Sequence, residues 1–143
     1  MALWLFKEEP SSYSFADLQR DKHTTWDGVA NAAALITLRT VKKGDQVFIY
    51  HSGDDKAIVG LARAESNAYA DPKQPGGGST PDGAPKFAVV DLAPVKAVPT
   101  PVTLAAIKAD KRFADFALVR ISRLSVMPVP PAMEKALRTM AGL

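Results

Sequence analysis

The sequence predicts an α+β fold, a mixed β barrel or sheet carrying short helices, in a single domain spanning residues 1–143. Three observations carry that expectation. Roughly five or six short segments rich in Val, Ile, Phe and Tyr recur along the chain. Short helical segments separate some of them, without the regular strand–helix alternation of a parallel α/β protein. No internal repeat or heptad run competes with this pattern.

Ala2 to Phe6 is expected to be the first strand, with Trp4 and Phe6 on one face, Leu3 and Leu5 on the other, and Pro10 ending it. Ser14-Phe15-Ala16-Asp17 has the Ser-x-x-acid pattern of a helix start, and a short helix through Arg20 follows. Trp26-Asp27-Gly28-Val29 is expected to turn, because Gly28 permits a backbone angle most residues avoid. Ala34, Leu35, Leu38 and Val41 recur at three- and four-residue steps and predict a helix over Val29 to Val41. It stops in Lys42-Lys43-Gly44-Asp45, with cations at the carbonyl end and Gly at the cap. Gln46 to Ser52 and Ala57 to Ala64 predict a hairpin in which Gly60 marks a bulge or a close backbone approach.

Ala70 to Pro85, ADPKQPGGGSTPDGAP, is expected to be a long mobile loop between strands, with the triple glycine as a flexible linker. Phe87 to Leu92 is a strong β segment, continued by an extended piece broken at Pro94 and Pro99. Thr103 caps a short helix, Leu104 to Ala109. A further helical turn is expected around Arg112 to Phe116, then extended chain from Leu118 to Val126. Pro131 opens a final helix, Ala132 to Met140, with Met133, Ala136, Leu137 and Met140 on one stripe. Strand alternation sends Leu5, Val47, Ile49, Val59, Val89 and Leu92 to the core.

Composition narrows the function classes. With 47% hydrophobic and 23% charged residues, the chain has the balance of a globular domain. No cysteine is present, which removes disulfides, thiolate zinc sites and a cysteine nucleophile. MALWLFKEEP reaches Glu8-Glu9 too soon for a signal peptide, and no apolar run is long enough to span a bilayer. A cytoplasmic protein without a membrane partner, monomeric by default, is expected. Net charge is +3, with residues 1–70 at −1 and residues 71–143 at +4. That bias is compatible with nucleic acid without demanding it.

Catalytic constellations are absent. His51 and Ser52 are adjacent on a strand and point to opposite faces, so they cannot form a dyad. Glu8 and Glu9 fail as a carboxylate pair for the same reason. His23 and His51 have no metal-ligand spacing to another donor, and Gly76 to Gly78 lack the Gly-Lys-Ser/Thr of a phosphate loop. No catalytic residue, metal or cofactor is assigned.

Polar and aromatic residues do gather at strand ends and turns. Lys7 follows the first strand, Trp26 and Asn31 flank the turn, Tyr50-His51-Ser52 ends the hairpin's first strand, and Arg123-Leu124-Ser125-Val126 lies near the last one. Aromatic rings stack on bases for about 1–3 kcal/mol each, and an amide offers both a donor and an acceptor to a base edge. Each residue also has a plain structural role open to it: a core Trp, a capping side chain, a solvated cation.

Trp4-Leu5-Phe6-Lys7-Glu8-Glu9-Pro10 with Tyr13-Ser14, Trp26-Asp27-Gly28-Val29, Asn31, Leu38-Arg39, Gly44-Asp45 and Tyr50-His51-Ser52 resemble the EVE domain. So do Gly60, Tyr69-x-Asp71-Pro72, Val90-Asp91 and Arg123-Leu124-Ser125-Val126-x-Pro128-Val129, in family order over almost the whole chain. The similarity is to bacterial relatives of the thymocyte nuclear protein. It implies a PUA-like small mixed β-barrel with short peripheral helices, related to the YTH and ASCH groups. It also implies a pocket for a flipped, modified nucleobase, modified cytosine first, in DNA, RNA or a free nucleotide.

Carried over by residue, that pocket would comprise Lys7, Glu8, Trp26, Asp27, Gly28, Val29, Asn31, Tyr50, His51, Ser52, Leu124 and Ser125. Trp26 would pack against the base, Asn31 would bond its edge, and Lys7 would meet a carbonyl or phosphate oxygen. Glu8 stands where the family commonly has serine, Ala30 where arginine is frequent, and Gly53 where asparagine often follows His-Ser. Both charge changes weaken phosphate attraction. The alternatives are a hydrolase of a modified nucleoside on an ASCH-like barrel and a protein-interaction module.

Overall fold

In the computed structural model, which describes residues 1–143, the β-rich segments pair into a single mixed sheet. The strands are β1 (Leu3–Glu8), β2 (Thr24–Trp26), β3 (Gln46–His51), β4 (Ala57–Ala64), β5 (Tyr69–Ala70), β6 (Ala88–Thr103) and β7 (Val126–Pro128). Their order is β2-β6-β4-β3-β1-β7, with β5 paired to β6 off that path. β1 and β3 run parallel and the other pairs antiparallel. The sheet curls into a half-barrel. Short helices surround it: α1 (Phe15–Asp21), α2 (Ala32–Leu38), α3 (Leu104–Lys108), α4 (Ala117–Arg120) and α5 (Pro131–Ala141).

The hairpin β3–β4 forms as predicted, and both expectations for Gly60 hold. The ladder pairs Ile49 with Gly60 but Tyr50 with Ile58, so Val59 is the extra residue of a bulge. A Cβ on Gly60 would lie 2.4 Å from the Phe15 ring, so the bulge is also where α1 docks. This explains the one exception in the expected core. Leu5, Val47, Ile49, Val89 and Leu92 are buried, whereas Val59 is half-buried because the bulge breaks its alternation.

α1 begins as its pattern requires. Asp17 N donates to Ser14 Oγ at 3.0 Å and Ser14 N to Asp17 Oδ2 at 2.9 Å, a reciprocal cap. Opposite the half-barrel's Glu8 end, Asp45 ties three segments together. It accepts from Ala2 N (3.1 Å), Trp4 Nε1 (2.9 Å) and Lys42 N (3.0 Å), and it is only 6% exposed.

Several expectations are corrected. The chain between Phe87 and Thr103 is not broken at its prolines; β6 runs 16 residues. Instead the ladder to β4 slips: Gly60 faces Ala97 and Ile58 faces Val102, leaving Pro99 and Pro101 in a bulge where no N–H is needed. Leu118 to Val126 is not extended. α4 occupies Ala117–Arg120, and only Val126–Pro128 is strand. Phe113, Phe116 and Leu118 are all buried through a 3-10 turn at Lys111–Phe113 followed by α4, a local path whose apolar spacing imitates a strand. The turn expected over Arg112 to Phe116 is thereby moved and shortened. α2 covers Ala32–Leu38, less than the predicted Val29 to Val41, and Trp26 closes β2 opposite Val90 before the turn starts.

The 71–86 segment also has more structure than a linker. Ser79 bridges to Pro85, Thr80 N donates to Ala84 O at 2.8 Å, and Lys86 N donates to Gly78 O at 3.1 Å. Asp71 is buried and accepts from Lys73 N at 2.9 Å. The segment is a small hydrogen-bonded hairpin seated beside α2, with Arg39 Nη1 donating to Lys86 O at 3.1 Å. No helix is long and apolar enough to cross a membrane.

Candidate functional site

Successive side chains leave a strand on opposite faces, and that rule divides the residues carried over from the family pattern. On β1, Phe6 and Glu8 share one face and Lys7 takes the other. Phe6 meets the Trp26 ring at 5.5 Å between centroids, tilted by 49°. Trp26 is 6% exposed, so most of its ring belongs to the core and only a margin is presented outward. That margin lines a cleft of about 280 Å³ shared with Glu8, Asp27 and Tyr13, and with Ser12, Thr24 and Thr25 at its rim.

The cleft is polar and acceptor-rich. Glu8 Oε1 accepts from Glu9 N at 2.9 Å, which orients the carboxylate and leaves Oε2 free of protein donors. Glu9 turns away: its carboxylate occupies the space where a Cβ on Gly53 would sit, 2.4 Å distant, and Gly53 has φ +74°. A side chain at 53 would be strained at that angle and would require the Glu9 carboxylate to shift. Asp27 Oδ2 accepts from Lys73 Nζ at 2.9 Å, tying the turn to the 71–86 hairpin. Tyr13 donates to Asp21 Oδ2 at 2.9 Å. Burial, opposed by Thr24 and reinforced by the Asp21 carboxylate, raises its pKa and keeps the phenol protonated. No group of three His, Asp or Glu residues is placed to hold a metal ion.

Lys7 belongs to a second cluster. Its Nζ donates to Ser122 O at 2.7 Å and sits 5.7 Å from the centroid of the buried Tyr50 ring. Burial lowers the Lys7 pKa and raises that of Tyr50. Lys7 N donates to Ser125 O at 2.8 Å, Ser52 N donates to Glu8 O at 3.0 Å, and Leu124 is buried. Backbone groups near Ser52 and Ser125 are therefore partly spent on the sheet.

His51 has a structural task. Phe15 N donates to its Nε2 at 3.0 Å, and Nδ1 lies 3.0 Å from Asp55 Oδ2, which assigns the proton to Nδ1. It anchors the start of α1 to β3. Asn31 is the N-cap of α2: Ala34 N donates to its Oδ1 at 3.0 Å. Gly28 turns the chain at φ +76° and Val29 packs against the core, and Asn31 is not among the residues lining the Trp26 cleft. The structure thus gathers Glu8, Trp26 and Asp27, and sets Lys7, Tyr50 and Ser125, His51, and Asn31 in three other places.

Four residues of the cleft went unassigned by sequence: Ser12, Tyr13, Thr24 and Thr25. Thr24-Thr25-Trp26 carried a usable signal, since β-branched residues before a large aromatic favour a strand. Read that way, Thr24 and Trp26 fall on one face.

The EVE domain pattern matches residues 2–140. Thymocyte nuclear protein 1 of Homo sapiens is 34% identical over 127 residues, 74% of this chain and 55% of that protein, so the chain spans about half of its relative's length. A protein of Rhodopseudomonas palustris solved by NMR is 40% identical and superposes with a TM-score of 0.86 over 99% of this chain and 94% of its own. The human protein solved with 5-methylcytosine-containing DNA superposes at 0.85, with 27% identity over 100% of this chain and 99% of that one. An ASCH protein of Zymomonas mobilis, 10% identical, shares the fold at 0.59 over 97% and 95%. The half-barrel is PUA-like, and the chain belongs to the EVE domain family.

Proposed function

We propose that this chain binds a modified nucleobase, modified cytosine first, presented by a nucleic acid, and that it does so in the Trp26 cleft without chemistry on the base. The observation that carries this is an aromatic margin beside a carboxylate with a free oxygen, in a recess of about 280 Å³. That volume lies just below the usual range of ligand sites, roughly 300 to 1,000 Å³, and suits a ligand no larger than one base. The human relative bound to 5-methylcytosine-containing DNA supports the ligand class.

In this reading Trp26 packs along the base and Glu8 Oε2 accepts from an exocyclic amine, the usual pairing of a carboxylate with cytosine. Asp27, held by Lys73, borders the other side of the recess. Glu8 and Asp27 also keep phosphate out of the cleft, so the base enters and the backbone stays outside.

The test is a panel of free nucleosides and short oligonucleotides, each with cytosine, 5-methylcytosine or thymine, titrated against the parent, Trp26→Phe and Glu8→Gln. Amine-bearing bases are expected to bind ten-fold or more tighter than thymine, with Glu8→Gln narrowing the gap and Trp26→Phe weakening all. Equal affinity for all three bases in the parent would overturn the assignment. A second reading, hydrolysis of a modified nucleoside, rests on Glu8 and Asp27 lining one cleft. Chromatography of the incubated nucleosides decides it, and unchanged ligand is the expected result.

A further inference from the structure

A larger cleft, about 380 Å³, opens on the far side of the Trp26–Asn31 turn, between α2 and the 78–86 hairpin. Its chemistry is the reverse of the base cleft. Ala30, Leu35 and Ile36 give it an apolar floor, Arg39 and Lys86 stand at its edge, and no carboxylate lines it. Ile36 is 62% exposed on a helix whose two leucines, Leu35 and Leu38, are buried. Arg39 is half-fixed: Nη1 donates to Lys86 O at 3.1 Å, while Nε and Nη2 have no acceptor in the protein. Asp82 is tied to Thr80 Oγ1, and the Thr80 and Ala84 bonds lower its pKa with a smaller contribution from Arg39.

Position links the two clefts. Asp27 borders the base cleft and Ala30 borders this one. Three residues of chain reach at most about 11 Å, so the two rims are within one or two nucleotides of each other. A strand whose base sits beside Glu8 and Asp27 finds no cation lining that recess, and its charge has to be met nearby. Ala30 lines the cleft with only a methyl group.

We infer that this second cleft holds the nucleotide next to the bound base, with Arg39 and Lys86 on its phosphate and Ile36 under its sugar or base. The inference rests on the base reading proposed above, and it makes the ligand a strand and not a free nucleoside. It gives Leu38-Arg39 a function: Leu38 anchors α2 in the core so that Arg39 faces the cleft.

The probes are a single-stranded oligonucleotide carrying one 5-methylcytosine and 5-methylcytidine itself, titrated from 50 to 200 mM salt. The parent should bind the oligonucleotide at least ten-fold tighter than the nucleoside at low salt. Arg39→Ala with Lys86→Ala should remove most of that advantage and reduce the slope of log affinity against log salt by about 0.7, the value for one single-strand phosphate contact. Nucleoside affinity should stay within two-fold of the parent. Because Arg39→Ala also loses the bond to Lys86 O, two variants guard against a purely structural effect. Arg39→Lys keeps the charge and should recover much of the affinity. Ile36→Glu, at an exposed site, should weaken the oligonucleotide alone. Oligonucleotide binding equal to the parent at every salt in the double variant overturns the inference, as does a parallel fall for both ligands. A parent that binds the nucleoside but gains nothing from the oligonucleotide overturns it while sparing the base reading; binding neither ends both.

Discussion

The two ends of β1 carry carboxylates in opposite conditions. Near Leu3, Asp45 is almost fully buried and its oxygens take three N–H donors, from Ala2, Trp4 and Lys42. At Glu8, five residues along the half-barrel wall, one oxygen is oriented by Glu9 N and the other faces an open cleft. The difference separates two uses of the same chemical group. A carboxylate whose lone pairs are filled by fixed backbone and indole donors has nothing left for a ligand, and it holds segments in register. One that is oriented but left unfilled is ready to accept from a base. No buried side-chain polar atom in the protein lacks a partner, so openness is confined to clefts and surface.

The largest expected effect is at the filled end. Asp45→Ala should lower unfolding stability by about 3 kcal/mol in urea, since three donors lose a charged acceptor and are left partly desolvated. Base affinity in the folded fraction should not change. A loss below about 1 kcal/mol would mean water replaces the clamp easily, and the contrast with Glu8 would weaken.

The same clamp sets an acid response. Burial alone would raise the Asp45 pKa, but the bonds from Trp4, Lys42 and Ala2 outweigh it and hold it below its ordinary value. A depressed folded pKa means that the unfolded chain binds the proton more readily. The contribution is therefore complete above the unfolded pKa of about 3.9 and is lost as pH falls through the folded value. Stability measured from pH 6 to 2.5 should decline more steeply for the parent than for Asp45→Asn.

Asn31 sharpens the comparison at an intermediate scale. Its Oδ1 is filled by Ala34 N and its Nδ2 is free, so it is half like each carboxylate. Asn31→Ala should cost about 1 kcal/mol through loss of the cap, and Asn31→Ser should restore it. If the free Nδ2 also bonds a ligand edge, Asn31→Ser will remain weak in oligonucleotide titration although its melting temperature is recovered. The smallest stability effect is expected at the open end: Glu8→Gln should stay within about 0.5 kcal/mol of the parent while changing base preference. A large stability loss there would show Glu8 to be another clamp.

Much of the fold was legible because its signals are local. The Ser14–Asp17 cap, the hairpin with its Gly60 bulge, the Thr103 cap and the Pro131 helix start each depend on a few neighbouring residues. The candidate site was legible only in part. Trp26, Asp27 and Glu8 do share a cleft, but Lys7 could not join them, because a neighbour on a strand faces the other way. Tyr13 was missed because nothing near it in sequence reports that the turn before α1 and strand β2 line one recess.

Leu118 to Val126 marks the same boundary from the other side. Its apolar spacing fits a strand or a pair of tight turns equally, and burial of Phe113 and Phe116 decided for the turns. Periodicity, caps and turn chemistry act within about one helical turn, so the sequence alone determined where helices start, where the hairpin bends and which faces are apolar. Which oxygen of which carboxylate is filled, which arginine nitrogen is left free and which strands run beside β1 depend on partners as many as 115 residues away. Those were settled only when the sheet closed its register, because a hydrogen bond needs its partner within about 3 Å and no local pattern specifies that distance.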